Sequence, residues 1–255
     1  MHILLPPSET KREGGDGKPL DLASLSFPAL REHRGVVLAA LDTLVGQPDD
    51  AAAKALKLGA RIASAELARN RELLSSPTMP ALERYTGVLF DALDPETLSP
   101  QARVRANQHI LVQSALFGLV RAGDHIPAYR LSHDARLPGV RLVTHWGDVS
   151  TAVLSDLSGP IVDLRSAGYA ALGPLPSNEH CVTVAVVAAD SDGSVRALNH
   201  FNKKGKGAFV RALLEAGELP TSLDDLCALA TSLDWPLRRM SDRELELRVP
   251  NALQR

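Results

Sequence analysis

The stretch Val195-Arg196-Ala197-Leu198-Asn199-His200-Phe201-Asn202-Lys203-Lys204-Gly205-Lys206-Gly207-Ala208-Phe209-Val210-Arg211-Ala212-Leu213-Leu214 decides how this chain is read. Val195, Ala197 and Phe201 alternate as in a strand, while Phe209, Val210, Leu213 and Leu214 recur at helical spacing. Between the two patterns stands Asn202-Lys203-Lys204-Gly205-Lys206-Gly207, which this reading makes a basic glycine loop leading into a helix. Such a loop aims backbone N–H groups and ammonium groups at one point, an arrangement suited to a phosphate or a carboxylate. No acid lies between Asp192 and Glu215, whereas Arg196, Lys203, Lys204, Lys206 and Arg211 all do. A solvated turn whose glycines supply unusual backbone angles is the plain alternative. The spacing fits neither Gly-x-x-x-x-Gly-Lys-Ser/Thr nor Gly-x-Gly-x-x-Gly, so the expectation is anion binding and not nucleotide hydrolysis.

Working outward, Val182–Ala188 and Ser194–Phe201 read as a hairpin around Asp190-Ser191-Asp192-Gly193. His2–Leu5 is a short apolar strand stopped by Pro6-Pro7, and Lys11–Pro19 reads as an exposed loop. Helical patterns run over Pro28–Val45, with Ser26 as cap, and over Asp49–Leu74 with a break near Gly59. Ile110-Leu111-Val112 reads as a buried strand, Trp146–Leu157 as a helix, Ile161–Leu164 as an inner strand and Leu223–Leu229 as a helix. Arg238–Val249 reads as a last pair of strands. No repeat or linker divides the chain, so the expectation is one α+β domain over residues 1–255, with a mixed sheet flanked by helices and a basic central cleft.

Composition limits the function. With 255 residues, 45% of them hydrophobic, the chain is able to bury a sizeable core, and its formal net charge of -2 leaves nucleic-acid binding to a local patch. No apolar stretch approaches the ~18 residues of a membrane span and no leader pattern opens the sequence, so the expected location is cytoplasmic, without a membrane partner. Cys181 and Cys227 are far apart in apolar surroundings and read as structural thiols. The histidines make no His-x-x-x-His or His-x-His pair, and no metal or other cofactor is expected.

Candidate site residues gather in short polar and aromatic clusters. Pro6-Pro7-Ser8-Glu9-Thr10-Lys11 places hydroxyls, a carboxylate and an ammonium directly after the first strand. There Glu9 is a candidate acid or base and Lys11 an anion ligand or low-pKa amine, while Ser8 and Lys11 also form a Ser-x-x-Lys pair. Tyr85-Thr86, Tyr129-Arg130, His145-Trp146-Gly147-Asp148 and Ser166 with Tyr169 complete the set, together with Phe201 before the basic run. Ser166, His145 and Asp148 supply the residue types of a catalytic triad, but no Gly-x-Ser-x-Gly elbow accompanies them.

The order of these clusters resembles the YaaA family, a family of uncharacterised function tied to peroxide stress. The likeness covers nearly the whole chain. It rests on Ile3-Leu4-Leu5-Pro6-Pro7-Ser8-Glu9-Thr10-Lys11, Tyr85-Thr86-Gly87, Leu116-Phe117-Gly118-Leu119-Val120-Arg121 with Pro127-Ala128-Tyr129-Arg130-Leu131, His145-Trp146-Gly147-Asp148, Leu164-Arg165-Ser166 with Tyr169, and Phe201-Asn202-Lys203-Lys204-Gly205-Lys206-Gly207. The resemblance implies a compact α+β domain with a cleft, a cytoplasmic role in limiting peroxide damage and free iron, and binding of double-stranded DNA. It also implies a helix-hairpin-helix-like element, for which Leu116–Asp124 and Gly205–Leu214 are both candidates. The chain departs from the family at Gly168, where many members carry an acid, and around Asp234-Trp235-Pro236.

Two functions therefore follow. In the first, Lys203, Lys204, Lys206 and Arg211, helped by Arg121 and Arg130, meet the phosphates of DNA or of another ligand, with a log–log salt slope of roughly -3.6 for four contacts on duplex DNA. In the second, the chain is a metal-independent enzyme acting on a small anionic, nucleoside- or nucleotide-like molecule. Ser8, Glu9, Lys11, Asp148 and Ser166 would then carry the chemistry, and Thr10, Tyr85, Thr86, Tyr129, Arg130, His145, Trp146, Tyr169 and Phe201 would line the site.

Overall fold

Inner strands that run apolar without alternation belong where both faces of a sheet are covered. Ile110 to Ser114 fits that rule, since all five residues are fully buried. The computed structural model describes residues 1–189, 195–197 and 200–250; the expected turn at Asp190–Gly193 and the side chain of Phe201 lie outside the described residues. In chain order the strands are β1 (His2–Leu5), β2 (Gly17–Pro19), β3 (Pro77–Pro80), β4 (Ile110–Ser114), β5 (Gly118–Arg121), β6 (His125–Ile126), β7 (Ile161–Asp163), β8 (Cys181–Ala189), β9 (Val195–Ala197), β10 (Leu237–Ser241) and β11 (Glu244–Arg248). The helices are α1 (Arg31–Val45), α2 (Asp49–Ala55), α3 (Ala60–Arg71), α4 (Ala81–Arg84), α5 (Val88–Leu93), α6 (Pro100–His109), α7 (Leu142–Ser155), α8 (Ala167–Ala170), α9 (His200–Ala216) and α10 (Leu223–Ser232).

The main sheet has the order β10-β11-β8-β7-β1-β4-β5, with β9 paired to β8. β4, β1, β7, β8 and β11 run parallel, while β5, β9 and β10 are antiparallel to their neighbours. A small antiparallel sheet joins β2, β3 and β6. The result is a single α+β domain whose mixed sheet is flanked by helices, as its composition and patterning led us to expect. From β1 the chain passes to β4 and β5 on one side, then returns to lay down β7 and β8 on the other. Sequence order thus reverses at the β1/β7 junction, and in open, mostly parallel sheets the crevice beyond the carboxyl ends of such strands is where ligands sit.

Helix ends follow local chemistry where a cap is available. Ser99 accepts a hydrogen bond from Ala102 N–H at 3.2 Å and Pro100 opens α6; Ser222 accepts from Asp225 N–H at 3.1 Å at the start of α10, where Asp224 and Asp225 face the helix dipole. Ser26 has a different task from the cap expected of it: its N–H and hydroxyl donate to the Asp124 carboxylate, and Phe27 precedes the short 3-10 turn Pro28–Leu30 that leads into α1. The break expected near Gly59 falls between α2 and α3.

The expected basic loop needs correction. Asn202–Gly207 is not a loop: α9 begins at His200 and runs straight through it, and the strand before it ends at Ala197. The glycines were read as turn-makers, but here they serve close packing. A β-carbon on Gly207 would lie 2.0 Å from the Leu89 carbonyl oxygen of α5, and one on Gly205 would lie 2.7 Å from Val249 Cγ2. Two interior glycines cost about 2 kcal/mol of helix propensity. Phe209, Val210, Leu213 and Leu214 are all buried on the same helix, at about 1.5–3 kcal/mol each, so tertiary packing outweighs local preference.

Candidate functional site

Pro6 and Pro7 lack the N–H needed to continue the β1 ladder, so the chain leaves the sheet there and carries Ser8, Glu9 and Thr10 across its carboxyl edge. Beside them β7 ends, and Leu164, Arg165 and Ser166 turn into α8. Together with the first turns of α9 and the Thr86–Phe90 segment at the start of α5, these segments enclose a cavity of about 780 Å³, well within the usual size of a small-molecule site. It sits at the topological reversal of the sheet.

The walls differ chemically. On one side Ser8 Oγ and Thr10 Oγ1 lie 3.1 Å apart, and Thr10 donates to the Thr86 carbonyl at 3.3 Å. Gly87, with φ of 94°, faces both hydroxyls; a β-carbon there would sit 3.2 Å from each, besides straining the backbone. On the opposite side are Asn202, Lys203 and Lys206 of α9 and Arg165. Arg165 is fixed by its neighbour: Nε and Nη2 donate to the Asp163 carboxylate at 2.9 and 2.7 Å, and Nη1 donates to Gln113 Oε1 at 3.1 Å. Lys206 is 8% exposed and its ammonium donates to the Leu164 carbonyl at 2.8 Å; burial lowers its pKa. Phe90, His133 and Tyr169 add ring surface, with the last two rings edge to face at 4.9 Å. A β-carbon on Gly168 would strike the His133 ring at 2.3 Å, which accounts for the glycine at that position.

Behind the hydroxyl wall lies a buried polar group. Lys11 is 9% exposed, donates to the Ser8 carbonyl at 2.9 Å and stands 4.0 Å from the centre of the Tyr129 ring. Burial, with Arg130 adding to it, brings its pKa down from the ordinary 10.5 to about 7. The Tyr85 and Tyr129 hydroxyls are 2.9 Å apart, and that of Tyr129 is 2.7 Å from Ser114 Oγ; burial pushes both phenols above their usual range. Arg130 pairs with the Glu9 carboxylate and also donates to its carbonyl at 3.3 Å. Lys11 and Arg130 together thus hold the Ser8–Glu9 segment from beneath.

The depressed Lys11 pKa predicts a pH effect. Between about pH 7 and 10.5 the unfolded chain holds a proton on Lys11 that the native chain has released, so stability rises with pH across that window. The advantage of wild type over Lys11→Met, measured by urea unfolding at pH 6.5 and 9.5, is expected to grow with pH. A difference independent of pH would show that this ammonium is not desolvated.

Of the residues singled out from the sequence, Ser8, Glu9, Thr10, Thr86, Ser166, Tyr169, Lys203 and Lys206 line the cavity, and Lys11, Tyr85, Tyr129 and Arg130 stand behind its wall. Others fall elsewhere. Trp146 is fully buried against Gly118, its Nε1 donating to the Ala115 carbonyl at 2.9 Å, and the His145 ring donates to the His33 carbonyl at 2.9 Å. Asp148 is exposed on α7, and half-buried Lys204 is not among the cavity-lining residues. Arg121 pairs in register with Leu111 near the amino end of β4 and donates to the Gln108 carbonyl at 2.8 Å, at the edge of the sheet away from the cavity. Arg211 donates to the carbonyls of Leu93, Asp94 and Thr97. Asn202, Gly87, Arg165 and His133 were not singled out as site residues, although the first three lie within motifs read from the sequence, yet all reach the cavity. The first three adjoin residues that were; His133 has no local signal, because its partner Tyr169 is distant in sequence.

Residues 1–232 match the model of a family described as peroxide stress protein YaaA. Among curated proteins, the chain is 44% identical to a UPF0246 protein of Corynebacterium efficiens over 235 residues, 90% of this chain and 91% of that one. It is 42% identical to a UPF0246 protein of Streptomyces coelicolor over 238 residues, 92% of this chain and 91% of the other. A UPF0246 protein of Shewanella pealeana is 28% identical over 263 residues, 98% of this chain and 97% of that one. No helix among the described residues is long and apolar enough to cross a membrane.

Proposed function

The chain belongs to the family of peroxide stress protein YaaA, and we propose that it serves the response to peroxide by holding a small phosphate- or carboxylate-bearing molecule in the cavity beyond β1 and β7. The observation that supports this reading most is Lys206. Its ammonium has three donors, lies buried on the cavity wall and has a single hydrogen-bond acceptor among the described residues, the Leu164 carbonyl. Nearby Asp163 favours its charge but is engaged by Arg165. A buried charge without a close counter-ion is unfavourable, and an anionic ligand supplies the counter-ion. Lys203, exposed at the rim, adds a second cation, and Glu9 and Ser8 are the groups available for acid–base chemistry on whatever is bound.

Inorganic phosphate and adenosine 5′-monophosphate are the first probes, titrated by calorimetry. Losing a charged hydrogen bond worth about 1.5–3 kcal/mol should weaken binding about 10- to 100-fold in Lys206→Met. Lys203→Ala should have a smaller effect because its charge is screened by water. Unchanged affinity in Lys206→Met would overturn the assignment of the cavity as an anion site.

Duplex DNA is the second reading, favoured by Lys203 and Lys204 side by side on α9. Of the four residues first considered, Arg211 is committed to backbone carbonyls and Lys206 lies buried on the cavity wall, which leaves two phosphate contacts, Lys203 and Lys204. Two contacts predict a log–log salt slope of about -1.8, to be measured by filter retention of duplex DNA. A slope near zero would remove the DNA reading.

A further inference from the structure

The two walls of the cavity ask for different chemistry, and their hydrogen-bond polarity says which. Thr10 gives its proton to the Thr86 carbonyl, so in the Ser8–Thr10 pair Ser8 is the donor and Thr10 the acceptor. The lone pairs of Ser8 Oγ are then left to accept from a ligand. Next to it, Glu9 is half-exposed, with Oε2 engaged by Arg130. Its other oxygen is a further acceptor, on a carboxylate whose charge the guanidinium already offsets. Two acceptors on adjacent residues suit two adjacent neutral donors, and hydroxyl groups on neighbouring carbons provide them; a carboxylate bonds ribose hydroxyls in the same way in dinucleotide sites. The bare α-carbon of Gly87 keeps this corner open. Across the cavity, Lys203, Lys206 and Asn202 present cations and a carboxamide, and the Asn202 Oδ1 has no hydrogen-bond partner among the described residues.

We infer that the ligand is a phosphorylated sugar with vicinal hydroxyls, free or within a nucleotide, its phosphate at Lys206 and Lys203 and its diol at Ser8 and Glu9. This inference rests on the anion-site reading above and adds the identity of the other end of the ligand. Phe90 and Tyr169 line the cavity and would give a base aromatic surface to pack against, so a nucleotide would gain over the bare sugar phosphate.

The test is calorimetric titration of adenosine 5′-monophosphate, its 2′-deoxy analogue, ribose 5-phosphate and inorganic phosphate into wild type, Glu9→Ala, Ser8→Ala and Lys206→Met. Each variant is first checked for an unchanged circular dichroism spectrum and a cooperative melt. Wild type is expected to prefer the ribonucleotide over its deoxy analogue about tenfold, the worth of one hydrogen bond to a charged group. Glu9→Ala should cut that preference to about twofold while leaving inorganic phosphate binding intact, and Lys206→Met should weaken all four probes. Ribose 5-phosphate binding as tightly as the nucleotide would identify a free sugar phosphate; weaker binding would identify a nucleotide. Equal affinity for the two nucleotides, with Lys206→Met still weakening both, would overturn the diol inference and leave the anion site standing. No binding by any of the four probes would overturn the anion site and this inference with it.

Discussion

Asp163→Ala is expected to destabilise the protein by about 3–5 kcal/mol, the usual consequence of removing one partner from a buried ion pair. The carboxylate accepts from the Arg165 backbone N–H at 2.8 Å and from two guanidinium nitrogens, and both side chains are almost completely buried. Without it, Arg165 keeps only Gln113 as a side-chain partner among the described residues, and desolvation of its charge is no longer compensated. Urea unfolding followed by circular dichroism gives the value. Arg165→Leu combined with Asp163→Ala should recover part of the loss, because the isolated charge is then gone. A single-variant loss under 1 kcal/mol would mean that water reaches the pair through the cavity.

Gly207→Ala is expected to destabilise by about 3 kcal/mol, the upper end of overpacking, even though alanine is the better helix former by about 1 kcal/mol. The added methyl would meet a carbonyl carbon at 2.9 Å as well as its oxygen, so backbone and not a flexible side chain must yield. Gly35 on α1 supplies the control. Nothing stands within 4 Å of a β-carbon there, and Gly35→Ala should stabilise by about 0.4–1 kcal/mol. If the two substitutions behaved alike in thermal unfolding, the close approach of α9 to α5 would be wrong.

These glycines also show why part of the architecture was readable in advance and part was not. Ile3–Leu5 and Ile110–Val112 announced themselves as strands because an unbroken apolar run between turn signals is only stable when covered on both faces, and Ile161–Leu164 did so although Asp163 interrupts its run. Gly205 and Gly207 misled because local propensity records the cost of glycine in a helix and not the approach of distant parts of the chain, Val249 against Gly205 and Leu89 of α5 against Gly207. Trp146 misled in a related way: it was read with His145 and Asp148 as a polar cluster, whereas helical spacing alone places it on the inner face of α7. The candidate site was more legible. Ser8 to Thr10 and Ser166 were singled out as loops following inner strands, and they meet because β1 and β7 are adjacent and parallel. What the order of residues concealed was charge accounting: Arg121, Arg130 and Arg211 look alike in sequence, and each is already bound to carbonyls or a carboxylate.

Diffraction from crystals soaked in adenosine 5′-monophosphate tests the central claim most directly. The account predicts phosphate density inside the cavity, with an oxygen at about 2.7–3.2 Å from Lys206 Nζ. Phosphate bound outside the cavity against Lys204, or a cavity holding no nucleotide at saturating concentration, would contradict it.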